Sequence, residues 1–173
     1  MQDIKLRPAT ATDLPAVMTI IADARALLKK QGIPQWQAEY PAAADINADI
    51  AVGTGRVLLV DSEIAGYANL DDAAEPVYDN LQDAHWQRQH PYSTIHRVAL
   101  GAAFQGKHLS VPFMQALIDE AAKDHDSVRV DTQITNQVMQ HILAKLGFQK
   151  RGTVKWDFEE PVVECYVYEL VLR

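Results

Sequence analysis

The stretch Ile95 to Leu117, IHRVALGAAFQGKHLSVPFMQAL, limits what this chain can fold into more than any other part of it. It opens as a strand, with Ile95, Val98 and Leu100 among β-forming residues. Gly101 breaks the strand, and a polar loop follows through Gln105, Gly106, Lys107, His108, Leu109 and Ser110. A helix then starts, with Ser110 suited to its N-cap and Pro112 in the first turn, where a missing N–H costs nothing. Strand, loop and helix N-terminus together form an anion-holding arrangement. Unpaired backbone N–H groups and the helix dipole face the loop, and Lys107 adds a full positive charge. An ordinary β-to-α turn that binds nothing has the same spacing, so both readings stand.

A chain of 173 residues suits one domain, residues 1–173, with a single substantial core. No apolar run approaches the roughly 20 residues of a membrane span, and MQDIKLRPAT lacks a basic-then-apolar leader. Cys165 is the sole cysteine, so there is no internal disulfide. These features together lead us to expect a cytoplasmic protein without a membrane partner. The six histidines form no HxxxH pair, and no CxxC pair exists, so no metal site is expected. A net charge of −7 opposes a general nucleic-acid binder and mildly favours cationic substrates.

In chain order, Ile4 to Arg7 reads as a strand, and Thr12 as the N-cap of a helix with Leu14, Val17, Ile21, Ala24 and Leu28 on its buried stripe. Gly32 ends that helix. Ile33 to Pro41 reads as a structured aromatic loop whose Trp36 and Tyr40 either line a substrate pocket or plug the core. A short helix from Ala42 to Val52 precedes a hairpin of Arg56 to Val60 and Ile64 to Leu70 around Asp61-Ser62-Glu63. Asp71 to Pro91 is long and acidic, which marks it as a functional loop or small lid; Tyr78 and Trp86 give it something to pack with. Asp71, Asp72 and Glu75 either hold a cationic amine or form a solvated loop face. The helix after the central loop carries Val111, Met114, Leu117, Ile118 and Ala121 on one face. Ser127 to Thr132 reads as a strand, Asn136 as the N-cap of a helix from Gln137 to Leu146, and Phe148 to Val154 and Cys165 to Leu172 as closing strands. The predicted order is β-α-α-β-β-β-α-β-α-β-β.

Over nearly its whole length the chain resembles the GNAT superfamily of N-acetyltransferases. The matching segments are RPATATDLPAV, VALGAAFQGKHLS and NQVMQHILAKLGFQKRGTV, in the family's order, while IPQWQ and IHRVAL look like a bacterial branch. The resemblance implies a GNAT-type α/β fold: a mixed, mostly antiparallel central sheet flanked by helices, with two splayed central parallel strands. It implies acetyl-CoA as acyl donor, its pantetheine arm bonded to backbone groups at Val98, Ala99 and Leu100 as an added strand would be. Its diphosphate would lie on the loop of Gln105, Gly106, Lys107, His108, Leu109 and Ser110, with Asn136 and Met139 as further cofactor contacts. An acceptor site would draw on Trp36, Tyr40, Asp71, Asp72 and Tyr78.

Two features depart from the family pattern: the loop, where His108 and Ser110 stand in place of two small residues, and the last helix. His108 stands where a glycine is usual; if the position needs positive φ, histidine costs on the order of 1 kcal/mol there. Leu143 stands where many members place a tyrosine that protonates the leaving thiolate. A thiol of pKa about 8.5 is nonetheless a fair leaving group unaided. The attacking primary amine, with a free pKa near 10, must shed a proton, and His96 is the first candidate for the base. A hydrogen-bonded sheet histidine is its plain alternative. The expected activity is acetyl transfer from acetyl-CoA to a primary amine of a small molecule or peptide, by direct attack in a ternary complex. The rival is a CoA-binding or ligand-sensing module weakened in catalysis. The alternating last strand offers an edge for a homodimer.

Overall fold

Thr10, rather than Thr12, starts the first helical segment. In this computed structural model, which describes residues 2–82, 85–89, 91–156 and 162–173, the backbone N–H of Thr10 donates to Asp13 Oδ2 at 2.8 Å and its hydroxyl does so at 3.1 Å. Asp13 is the residue that reaches back, so the reciprocal bond falls three positions after Thr10, the spacing of a capping box. A 3₁₀ turn, Ala11–Asp13, leads into helix α1, Leu14–Lys30, whose Val17, Ile20, Ile21 and Ala24 are buried. Gly32, at φ 72, supplies the left-handed residue beyond its end.

The remaining elements follow the predicted order. They are strand β1 (Ile4–Pro8), α2 (Ala43–Val52), β2 (Gly55–Val60), β3 (Glu63–Asp71), β4 (Tyr92–Leu100), α3 (Ser110–Ala121), β5 (Ser127–Gln133), α4 (Gln137–Lys145), β6 (Gln149–Trp156) and β7 (Val163–Val171). Asp61 and Ser62 both take positive φ, 49° and 72°, the mirror-image turn whose twist suits the β2–β3 hairpin. The sheet order is β1-β2-β3-β4-β5-β7-β6. Only β4 and β5 run parallel among the registered pairs, and they register over Tyr92–Thr94 with Ser127–Arg129. The long acidic segment contains a 3₁₀ turn, Pro76–Asn80; its positions 83, 84 and 90 lie outside the described residues.

The chain divides into two compact units, Met1–Leu70 with His96–Leu117, and Asp71–Ile95 with Ile118–Arg173. The core of the first unit joins Val17, Ile20, Ile21 and Ala24 of α1 to Ile46 of α2, Val57, Tyr67 and Ala99, and Trp36 packs on it. Gly66 is required where β3, β4 and α3 crowd together. A Cβ there would lie 2.9 Å from both Ala99 O and Phe113 Cε1. The second unit is built around Tyr78, Val154, Cys165 and Val167. There Glu169, fully buried, accepts the N–H groups of Gln87 and Arg88 and the Arg151 Nε, which fastens the segment before β4 onto β7. Among the described residues no helix is long and apolar enough to cross a membrane.

Candidate active site

The site is built on the first unit, from the second half of β4, the turn after it and the start of α3. Leaving β4, the chain makes a 3₁₀ turn, Ala102–Phe104, closed by Phe104 N–H on Gly101 O at 2.9 Å. Asp23 of α1 accepts the Ala102 N–H at 2.8 Å, and the Gln105 side-chain amide donates to Leu100 O at 3.0 Å. These bonds fix the departure of the loop from the strand. Gln105 therefore spends its amide on the strand end rather than on the loop it opens.

The loop itself is left-handed at two points, Gly106 (φ 72) and His108 (φ 58). His108 thus occupies the conformation that favours glycine, at a backbone cost on the order of 1 kcal/mol. Lys107 between them is exposed, its Nζ 5.6 Å from the Phe104 ring centroid. Leu109 is buried and anchors the loop. Its carbonyl accepts the Phe113 N–H at 2.9 Å, so Leu109 is the capping position and Ser110 already lies in the first turn. This corrects the expectation of a Ser110 cap: burying Leu109 draws the helix start back by one residue. Pro112 remains among the first four positions, where its missing N–H leaves nothing unpaired.

Strand β4 carries a feature that the sequence does not announce. Arg97 sits at φ 55 in the middle of the strand, the conformation of the first residue of a bulge that normally requires glycine. An i, i+2 parity argument therefore does not carry from His96 to Val98, although sequence spacing alone puts them on one face. Beyond Arg97 the alternation can be counted from the far end. Gly101 N–H donates to Ala65 O on β3 at 2.9 Å, so the amides of Leu100 and Val98 point away from β3 and that of Ala99 points toward it. His96, Val98 and Leu100 are half-buried, and Ala99 is buried.

Arg97 is held by a polar cluster within the same unit. Its Nε donates to Asp49 Oδ2 at 2.9 Å and its Nη2 to Asp49 Oδ1, a two-pronged pair with a carboxylate that is 6% exposed. Tyr67 OH donates to Asp49 Oδ2 at 2.6 Å, and Arg97 Nη1 donates to Tyr40 OH at 2.7 Å. Burial pulls the Arg97 guanidinium down, but Asp49 and Tyr40 together more than offset this and leave it above its usual value. Burial and then Asp49 raise the Tyr67 phenol, and burial raises that of Tyr40 while Arg97 opposes it. Arg97 stays ionised across the physiological range. Sequence reading missed Asp49, Tyr67 and Arg97. The available signal was Asp49 itself, a lone carboxylate three residues after Ile46 and on the same buried face of α2.

The other expected residues are distributed as follows. Trp36 takes φ 63 and packs on the core, with Arg25 Nε donating to its carbonyl at 2.7 Å. Tyr40 belongs to the Arg97 cluster. In the second unit, Asp71 Oδ1 accepts the Ala73 N–H at 2.8 Å and Asp72 is exposed. Tyr78 is buried, its hydroxyl donating to Asp131 Oδ1 at 2.6 Å, and burial with Asp131 pushes the phenol well above its ordinary value. Asn136 is the N-cap of α4 and accepts the Met139 N–H at 3.1 Å, and Leu143 is fully buried. No group of His, Cys, Asp and Glu suited to a metal exists among the described residues.

The family model for the GNAT acetyltransferases matches residues 21–148. A GNAT acetyltransferase from Streptococcus agalactiae shares 36% identity with the chain, covering 97% of it and 95% of that protein, with a TM-score of 0.87. One from Listeria monocytogenes shares 20% over 98% and 95% of the two chains, with a TM-score of 0.75. A Salmonella typhimurium protein described as an acetyltransferase, solved with its cofactor acetyl-CoA, shares 19% over 98% and 94%, with a TM-score of 0.63. No curated protein matches. With a family model spanning most of its length and a solved relative more than a third identical, this chain belongs to the GNAT family of acetyltransferases.

Proposed function

We propose that the protein moves an acetyl group from acetyl-CoA to a primary amine by direct attack in a ternary complex. The observation that carries this reading is the loop after β4, left-handed at Gly106 and His108, running with exposed Lys107 into the N-terminus of α3. Backbone turned outward by positive φ, a helix dipole and a cation together suit a diphosphate. The residues present therefore fit coenzyme A, and the Salmonella relative solved with acetyl-CoA supports the same assignment.

Bound acetyl-CoA supplies an activated thioester. The chain's own work is to hold and polarise it. Gln105 to Ser110 take the diphosphate. The outward amides of Val98 and Leu100 bond the donor arm, and a preorganised N–H there stabilises charge as it develops on the thioester oxygen. His96 takes the proton that the amine must lose. Leu143 offers no proton to the departing thiolate, which leaves at a pKa of about 8.5 with solvent as the donor. The single cysteine, Cys165, is buried in β7, which suits direct attack better than a covalent enzyme intermediate. In the first unit, Trp36 and Tyr40 are the residues from which an acceptor site would be drawn.

Calorimetry with acetyl-CoA, followed by thiol release across a panel of small amines and peptides, tests the reading. Binding with turnover on at least one amine is expected. Absence of binding at millimolar acetyl-CoA removes the transferase assignment, and tight binding without turnover on any amine makes the protein a CoA-responsive sensor instead.

A further inference from the structure

The Arg97–Asp49 pair lies outside every role just assigned, and the backbone conformation it accompanies decides the geometry of the donor strand. In a regular strand, N–H and C=O groups alternate between its two edges. A single left-handed residue shifts that alternation by one, so the amides beyond it are dealt to the opposite edge from the one a regular strand would give. At Arg97 this shift puts the amides of Val98 and Leu100 on the edge away from β3. Glycine would hold such a residue at no conformational cost, but arginine must be held by its side chain. The holding contacts are unusually complete. Both Asp49 oxygens are engaged by Arg97, Tyr67 fixes Asp49 from β3, and Tyr40 receives a further guanidinium N–H.

We infer that Asp49 is a positioning residue: by clamping the Arg97 guanidinium it keeps Arg97 left-handed, and so aims the Val98 and Leu100 amides that receive the acetyl thioester. The inference rests on the transferase reading above and adds to it a residue on α2, 48 positions before Arg97, whose carboxylate is held by Arg97 and Tyr67. It also links the loop bearing Tyr40 to donor recognition. A change that disturbs Tyr40 is transmitted to β4 through a single guanidinium.

The test exploits the difference between acetyl-CoA and CoA, which share the diphosphate and pantetheine arm but differ in the acetyl carbonyl. Calorimetry on the wild type should show tighter binding of acetyl-CoA. In Asp49→Asn the CoA affinity should stay within about twofold while the preference for acetyl-CoA disappears, because the diphosphate loop is untouched and the aimed amides are not. Adding Arg97→Gly to Asp49→Asn should restore the preference, since glycine adopts the left-handed conformation without a clamp. A merely structural role for Asp49 would weaken both ligands alike and would not be rescued by glycine. The inference is overturned by an Asp49→Asn protein that keeps the wild-type preference, by equal weakening of both ligands, or by a double variant that fails to regain it. If Asp49→Asn does not fold, the double variant, which strands no charge, decides alone: it must show the wild-type preference. A wild type that binds CoA but does not favour acetyl-CoA sinks this inference and leaves the transferase reading standing, whereas a wild type that binds neither sinks both.

Discussion

Arg97 on β4 reaches back to Asp49 on α2 and engages both of its carboxylate oxygens, with Tyr67 OH completing the Asp49 shell at 2.6 Å. A buried pair of this kind returns little net stability, because removing both charges from water offsets most of their attraction. Its value lies in specificity of conformation. Few other arrangements satisfy a guanidinium and a carboxylate in a core otherwise lined by Ile46, Val57 and Ala99.

Lys107→Ala should weaken acetyl-CoA binding severalfold, and the wild-type advantage should shrink as salt rises. Lys107 is exposed, so at about 0.15 M ionic strength its field is screened within roughly 8 Å. Calorimetry at low and high salt measures this. Identical affinities for the two proteins at both salts would take Lys107 out of the diphosphate site.

His108→Gly should tighten acetyl-CoA binding by a few-fold. The substitution relieves a left-handed histidine, on the order of 1 kcal/mol, and lets the backbone approach the phosphates without a Cβ. Weaker binding would mean that the imidazole itself bonds the ligand.

His96→Ala should reduce kcat by about 10²-fold or more, the usual scale for a lost general base, while the acetyl-CoA dissociation constant changes little. A loss of donor affinity at constant kcat would transfer His96 from proton transfer to cofactor support.

Asp13 provides a pH test of the first unit's stability. The Arg7 side chain, bonded at 2.8 Å and 3.0 Å, holds the Asp13 carboxyl down at about 2, below its ordinary range. A depressed carboxylate stabilises the fold at any pH above its unfolded pKa of about 3.9 and loses that contribution as pH falls toward its folded value. Stability should therefore drop between about pH 4 and pH 2, by on the order of 1 kcal/mol given that Arg7 is part-exposed. Urea unfolding of Asp13→Asn should show a lower, flatter curve through that window. An unchanged slope would mean that other carboxylates govern acid unfolding.

Local chemistry carried most of the fold. The period of Val17, Ile21 and Ala24, the left-handed glycines 32 and 53 after their helices, and Asn136 ahead of Met139 are short-range signals, each needing only a few neighbouring residues to act. The loop from Gln105 to Ser110 was legible through the family resemblance, which marks position 108 as a place where glycine is usual, and the structure gives it φ 58. Spacing alone failed wherever distant residues set the outcome. Burial of Leu109 moved the cap off Ser110, whereas the choice of Thr10 over Thr12 was local, made by Asp13 three residues on. The left-handed Arg97 lies beyond any local rule, because nothing within several residues of it favours that conformation. Its warrant is a carboxylate 48 positions earlier, and only the folding of α2 against β3 and β4 brings the two charges into a core where each must find the other.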